Sequence, residues 1–142
     1  MGVAYFSLQG ANEKVQKIRR VTERMCQLVE ELDFLDNTKI ELETDSTESL
    51  MLEVALNKSF HEKNLELYSL IEKLIAEGCI VRDLQSMEID FYSRLGERSI
   101  LLCWKRGEEK IQSWHETFEN QTKRKPAIML EKNYFEQLKK LR

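Results

Sequence analysis

From about Leu8 to Leu35 apolar residues recur at helical spacing, with Ala11, Ile18, Met25 and Leu32 in one heptad row and Val21, Leu28 and Leu35 in another. This is the stripe of an amphipathic helix. Ser7 stands where an N-cap belongs, and Arg19, Arg20, Glu23, Glu30 and Glu31 decorate the remaining, solvated faces. Such a helix is about 40 Å long, longer than a compact domain of this size needs, so part of it is expected to pack on a second long helix. A polar break follows from Asp36 to Thr47, where Asp36-Asn37-Thr38 and Thr44-Asp45-Ser46-Thr47 carry turn and cap chemistry. Ile40 and Leu42 inside the break are ambiguous. The second helix is predicted from about Glu48 to Glu77, with Leu56, Phe60, Leu67, Ile71 and Leu74 as its stripe. It ends at Gly78, a residue suited to a left-handed C-cap. The two helices are expected to run antiparallel, with His61 facing solvent or lying at an edge.

Beyond Gly78 the period changes to two. Cys79-Ile80-Val81 opens a short strand, Glu88 to Leu95 alternates Ile89 and Phe91 against Asp90 and Tyr92, and Ser99 to Trp104 alternates Ile100, Leu102 and Trp104 against Leu101 and Cys103. Leu95-Gly96-Glu97-Arg98 supplies a hairpin turn and Arg106-Gly107-Glu108 a second turn. Ile111 to His115 reads as a fourth strand in preference to a helical turn, although Ile111, Trp114 and Phe118 also share a helical face. After the basic stretch Thr122 to Lys125 and the single Pro126, Tyr134, Leu138 and Leu141 suggest a final helix over 127–142. The predicted fold is α+β: a helical hairpin over 8–77 packed on a three- or four-stranded antiparallel meander over 79–116, with the C-terminal helix, in one domain of 1–142. The excess helix length predicts a homodimer through the long helices.

Composition adjusts this picture in few places. A chain of 142 residues can bury a core of its own, and 33% charged residues suit long solvated helices. The net charge of -3, with acids and bases intermixed, offers no broad cationic surface, so neither nucleic acid nor a membrane surface is an expected partner. No stretch has the length of a membrane-spanning helix, and the N-terminus lacks the basic-then-apolar order of a secretory signal. Cys26, Cys79 and Cys103 are odd in number, far apart and without a C-x-x-C pair, which disfavours a disulfide framework and fits a cytoplasmic protein with buried thiols.

Candidate chemistry concentrates between Ser99 and His115, where both tryptophans, one of three cysteines and one of two histidines fall together. No Walker loop, dinucleotide fingerprint, H-E-x-x-H or G-x-S-x-G element occurs. Asp90, Tyr92, Cys103, Glu108, His115, Glu116 and Arg124 all lie around the meander. Asp90, Cys103 and His115 on neighbouring strands are candidate metal ligands, or His and Asp orient one another beside a cysteine nucleophile. Against this stands a structural reading in which His115 and Asp90 satisfy each other or nearby backbone. Trp104 and Trp114 are expected to fill the core or, failing that, to form a binding surface. Arg124, flanked by Lys123 and Lys125, is a candidate anion contact or simply a solvated loop.

Asp90-Phe91, Leu102-Cys103-Trp104, Gly107-Glu108, Ile111, Trp114-His115 and Arg124-x-Pro126, together with the opening Tyr5-Phe6-Ser7-Leu8 and Ala11-Asn12, resemble the prokaryotic family known as domain of unknown function 2203 (DUF2203). The resemblance spans nearly the whole chain and implies a small, soluble, mostly cytoplasmic protein without an established biochemical role. Glu109 replaces a proline usual after the Gly-Glu turn, and Gly10 replaces the acid that would complete a capping box with Ser7, so a looser turn and helix start are expected. The sequence is therefore read as a non-enzymatic interaction or regulatory module, with Asp90, Trp104, Glu108, Trp114, His115 and Arg124 as candidate ligand or partner contacts. The alternative is a small metal- or ligand-dependent enzyme built on Asp90, Cys103 and His115, with Glu108 as acid or base. No cofactor is singled out by the sequence.

Overall fold

A computed structural model describes residues 3–40, 47–117, 124–127 and 130. Helices α1 (Leu8–Ile40) and α2 (Thr47–Ala76) precede strands β1 (Cys79–Asp83), β2 (Glu88–Leu95), β3 (Arg98–Lys105), β4 (Ser113–Glu116) and β5 (Lys125–Pro126). The strands form one antiparallel sheet in chain order. This is the expected α+β architecture, with one more short strand than the meander of three or four. The region of Ile111 to His115 is extended: Ile111 is a buried loop residue and the strand itself is Ser113–Glu116. Most of the expected C-terminal helix, the cap cluster at 44–46, Leu42 and Lys123 lie outside the described residues.

Helix α1 starts where Ser7 Oγ accepts a hydrogen bond from the Gly10 N–H at 2.9 Å. No acidic residue occupies its first turn, so the reciprocal half of a capping box is missing. The heptad row Ala11, Ile18, Met25 and Leu32 is buried, and Val15, Thr22 and Leu28 flank it inside the core. Val21 and Leu35, expected to share the buried face, are only half-buried. Thr22 tolerates full burial because its hydroxyl donates to the Arg19 carbonyl at 2.9 Å, leaving no unmet donor. The helix continues through Asp36-Asn37-Thr38, where a break is expected from sequence. Thr38 Oγ1 donates to the Phe34 carbonyl one turn back at 2.8 Å, so the polar triplet is accommodated within the helix.

Helix α2 returns antiparallel, buries Leu67 and Leu74, and leaves His61 exposed. Lys14–Glu77, Arg24–Glu66 and Lys63–Glu31 join the helices at successive levels. Exposed pairs of this kind contribute about 0–1 kcal/mol each, so they mark the register of the hairpin more than they stabilise it.

At the end of α2, Gly78 turns the chain with φ of +89°. A Cβ there would lie 3.0 Å from the Phe6 ring and 3.1 Å from Ala4 Cβ, because the N-terminal segment crosses over this turn. Phe6 N–H donates to the Tyr92 carbonyl at 2.7 Å, and its ring meets Phe91 edge-on at 5.4 Å.

A polar row on α1, Asn12, Gln16, Arg19 and Glu23, grips the connection between β3 and β4. Asn12 Oδ1 accepts from Ile111 N–H at 2.8 Å, Gln16 Nε2 donates to the Glu109 carbonyl at 3.2 Å, and Arg19 donates to the carbonyls of Glu108 and Glu109. Glu23 receives both arms of Arg106 at 2.9 Å. The connection is thus fastened to the helix over three turns. Gly107, with φ of +98°, allows the chain to reverse, and Lys105 N–H donates to Glu108 Oε1 at 2.7 Å to close the turn.

Gly78→Ala is expected to lower stability by about 1–3 kcal/mol, since it combines a left-handed backbone with a tight contact to the Phe6 ring. Gly96→Ala has the same backbone strain but open space around the new methyl, so the smaller loss belongs to Gly96. Urea unfolding of the two variants checks the order.

Candidate functional site

Alternation and strand register divide the sheet side chains between two faces. Ile89, Phe91, Ile100, Leu102, Trp104 and Trp114 join the apolar cluster formed with α1 and α2. Glu88, Asp90 and Tyr92 of β2, Leu101 and Cys103 of β3, and Ser113 and His115 of β4 alternate with them and point away from it. In the register, Asp90 lies opposite Cys103, which lies opposite Ser113; in the adjacent row Tyr92 lies opposite Leu101, which lies opposite His115. The second face is buried too: Glu88, Asp90, Leu101, Cys103 and His115 are all largely withdrawn from solvent. Polar side chains therefore sit where strands of a half-solvated sheet would carry exposed ones.

Asp90, Cys103 and His115 converge, with one ligand-type atom from each lying within 4.8 Å of the others. Their exposures are 0%, 2% and 2%, so this is an enclosed cluster. Asp90 Oδ2 accepts from Arg82 Nε at 2.8 Å, and the guanidinium completes an ion pair with the same oxygen. Its other oxygen, Oδ1, is buried with no hydrogen-bond partner among the described residues. His115 Nδ1 lies 2.8 Å from the Glu116 carbonyl. A carbonyl only accepts, so Nδ1 carries the proton and donates it. His115 Nε2 faces Asp90 Oδ2 at 3.8 Å, too far for a hydrogen bond, and is likewise buried without one among the described residues.

The cysteine is held as a neutral thiol. Burial pushes Cys103 up to about 12, and the Asp90 charge and a hydrogen bond from the thiol to Asp90 act in the same direction. Its Sγ approaches the Leu101 carbonyl at 3.9 Å. Such a thiol lacks the thiolate character that a free cysteine nucleophile needs at neutral pH. Cys79 is also pushed to about 12, mainly by burial, and burial raises Cys26 as well.

A second ion pair lies beside the first. Arg124 NH2 donates to Glu88 Oε1 at 2.8 Å, and Ser86 Oγ to Glu88 Oε2 at 3.2 Å. Arg124 precedes β5 yet reaches across to β2, so its guanidinium belongs to this buried face. Of the other candidate residues, Trp104 and Trp114 lie on the opposite face, within the core. Trp104 Nε1 donates to the Glu108 carbonyl at 2.9 Å, which places Glu108 in the turn that anchors the tryptophan. Glu116 is paired with Arg98. Arg82 and Glu88 escaped the sequence reading, although Arg82 follows the short apolar run of β1 and Glu88 is two residues from Asp90, on the same face.

Two outcomes follow for this face. Arg82→Ala leaves Asp90 buried without its cation and is expected to cost about 2–3 kcal/mol, at the low side for a buried pair because Arg82 is itself partly exposed; chemical denaturation reads it. The folded-state pKa of Cys79 lies above that of the unfolded chain, so the native state keeps a proton that the unfolded state has lost. Its contribution to stability is therefore fully present below about pH 8.5, and falls as pH rises toward 12. Thermal melts at stepped alkaline pH check the sign, and Cys79→Ala should reduce the slope.

No curated protein and no solved structure matches the chain. Both ends of the resemblance noted in the sequence meet in the fold, where Asn12 binds the backbone of Ile111 beside the Gly107-Glu108 turn. The family model described as "Uncharacterized conserved protein (DUF2203)" matches residues 4–127, and the chain belongs to that family.

Proposed function

We propose that this chain is a non-enzymatic interaction module that pairs with a second copy of itself through the free end of its helical hairpin. The observation that carries this reading is a set of large apolar side chains left in solvent there: Phe34 on α1 is 69% exposed, and Leu50, Met51, Leu52 and Val54 on α2 are 48–68% exposed. Burial in the core stops at Leu32 on α1 and resumes only at Leu67 on α2 among the described residues. From Leu50 to Leu56 every residue of α2 but Glu53 is apolar, a pattern characteristic of helices covered on several sides.

Exposed large apolar side chains grouped in this way are characteristic of interaction surfaces, whereas single scattered ones are ordinary. A two-fold contact needs a self-complementary surface, and the consecutive apolar residues of α2, Leu50 to Val54, are the part of the hairpin that offers one. The three free, buried cysteines suit a reducing compartment and support cytoplasmic placement. The enclosure of Asp90, Cys103 and His115 favours this reading over an enzyme with an open site.

Sedimentation over a range of concentrations tests the proposal. The wild-type chain is expected to sediment as a dimer, and Leu50→Glu with Val54→Glu to convert it to a monomer with unchanged helix content, because both positions are exposed. A wild-type chain that stays monomeric at the highest concentration reached overturns the proposal.

A further inference from the structure

We propose that Asp90, Cys103 and His115 form a site for a single transition-metal ion of the zinc type, bound through Asp90 Oδ1, Cys103 Sγ and His115 Nε2. The three come from three adjacent strands, β2, β3 and β4, on one face of the sheet. One carboxylate, one sulfur and one imidazole are a ligand set that zinc takes and that calcium or magnesium, which require oxygen ligands, do not.

Two features of the cluster point to a cation at this place. The first is the pair of orphaned atoms: Asp90 Oδ1 and His115 Nε2 are both buried acceptors without a hydrogen-bond partner among the described residues. Leaving buried polar atoms unmet is costly, and two of them on contacting residues call for one common partner. The second is the histidine tautomer. Nδ1 donates to the Glu116 carbonyl at 2.8 Å, which in the neutral ring leaves the Nε2 lone pair available to a metal. The arrangement of a backbone carbonyl behind a histidine is how proteins orient the ring for a metal.

The geometry needs only a small adjustment. Ligand atoms around a tetrahedral zinc lie about 3.3–3.8 Å apart, and one ligand-type atom from each of the three residues already lies within 4.8 Å of the others. Asp90 Oδ2 remains with Arg82, which holds the carboxylate with Oδ1 free. On binding, the Cys103 S–H bond breaks, the sulfur keeps the electron pair and forms the metal–sulfur bond, and one proton leaves to solvent. The ion therefore adds one net charge to a face whose carboxylates Asp90 and Glu88 are already paired with arginines. With three protein ligands the fourth position is left to a water or another group, the burial of all three ligands means that the ion enters as the chain folds, and the site is independent of the pairing proposed for the helical hairpin.

The test is to refold the protein with Co2+ as the probe and record its spectrum. One Co2+ per chain, a thiolate-to-cobalt charge-transfer band, release of one proton per ion and displacement by Zn2+ are expected. Cys103→Ser should remove the band, whereas Cys26→Ala and Cys79→Ala should keep it. His115→Gln should weaken binding by more than about 100-fold. A folded wild-type chain that gives no such band after refolding with Co2+ overturns the proposal, as does a band that survives Cys103→Ser. The wild-type measurement stands even if a variant fails to fold.

Discussion

The structure depends on a sheet that is buried on both faces although only one of them is apolar. On the helix side, Phe91, Leu102 and Trp114 align across β2, β3 and β4 and meet the stripe of α1. On the far side, the same strands present Asp90, Cys103 and His115 at the same depth. A buried carboxylate must be paired and hydrogen-bonded to be tolerated. Arg82 and Arg124 supply that pairing from the two edges of the sheet, β1 and the segment entering β5. The charges thereby tie the margins of the sheet to its centre, and a central strand that would otherwise be apolar acquires fixed chemistry.

The helices serve this sheet unequally. The N-terminal half of α1 carries an apolar strip for the core and, beside it, the polar row that holds the β3–β4 connection. That connection decides where β4 begins, and hence that His115 falls on the far face beside Asp90 and Cys103. Gly107 permits the reversal, and the Glu108 carbonyl holds Trp104 from below. The opposite end of the hairpin carries little of this architecture. Leu50, Met51, Leu52 and Val54 there join no core among the described residues.

Much of the fold was legible because its periods are clean. The change from helical spacing to alternation at Gly78 marks the hairpin-to-sheet boundary, and Gly96-Glu97 marks the β2–β3 turn. That turn carried more information than the sequence reading drew from it. A two-residue turn between Leu95 and Arg98 sets every pair outward from it, and counting back places Asp90 opposite Cys103. His115 could not be placed in this way, because the connection to β4 is long and its course is determined by Asn12 and Gln16 far away in sequence. The polar row on α1 was equally hidden: Arg19 and Glu23 at helical spacing look like a solvated face whether or not a loop rests on them. Met87, buried with φ of +52° immediately before Glu88, gave no local signal at all.

The central claim is that the far face of the sheet is a specific polar site whose unmet acceptors share one cation. Anomalous diffraction at the zinc absorption edge, from crystals of protein refolded with Zn2+, addresses it directly. The account predicts one strong peak within bonding distance of Asp90 Oδ1, Cys103 Sγ and His115 Nε2, with Arg82 still on Oδ2. An ordered structure with no peak there, and with His115 Nε2 hydrogen-bonded to a water or side chain instead, would contradict it.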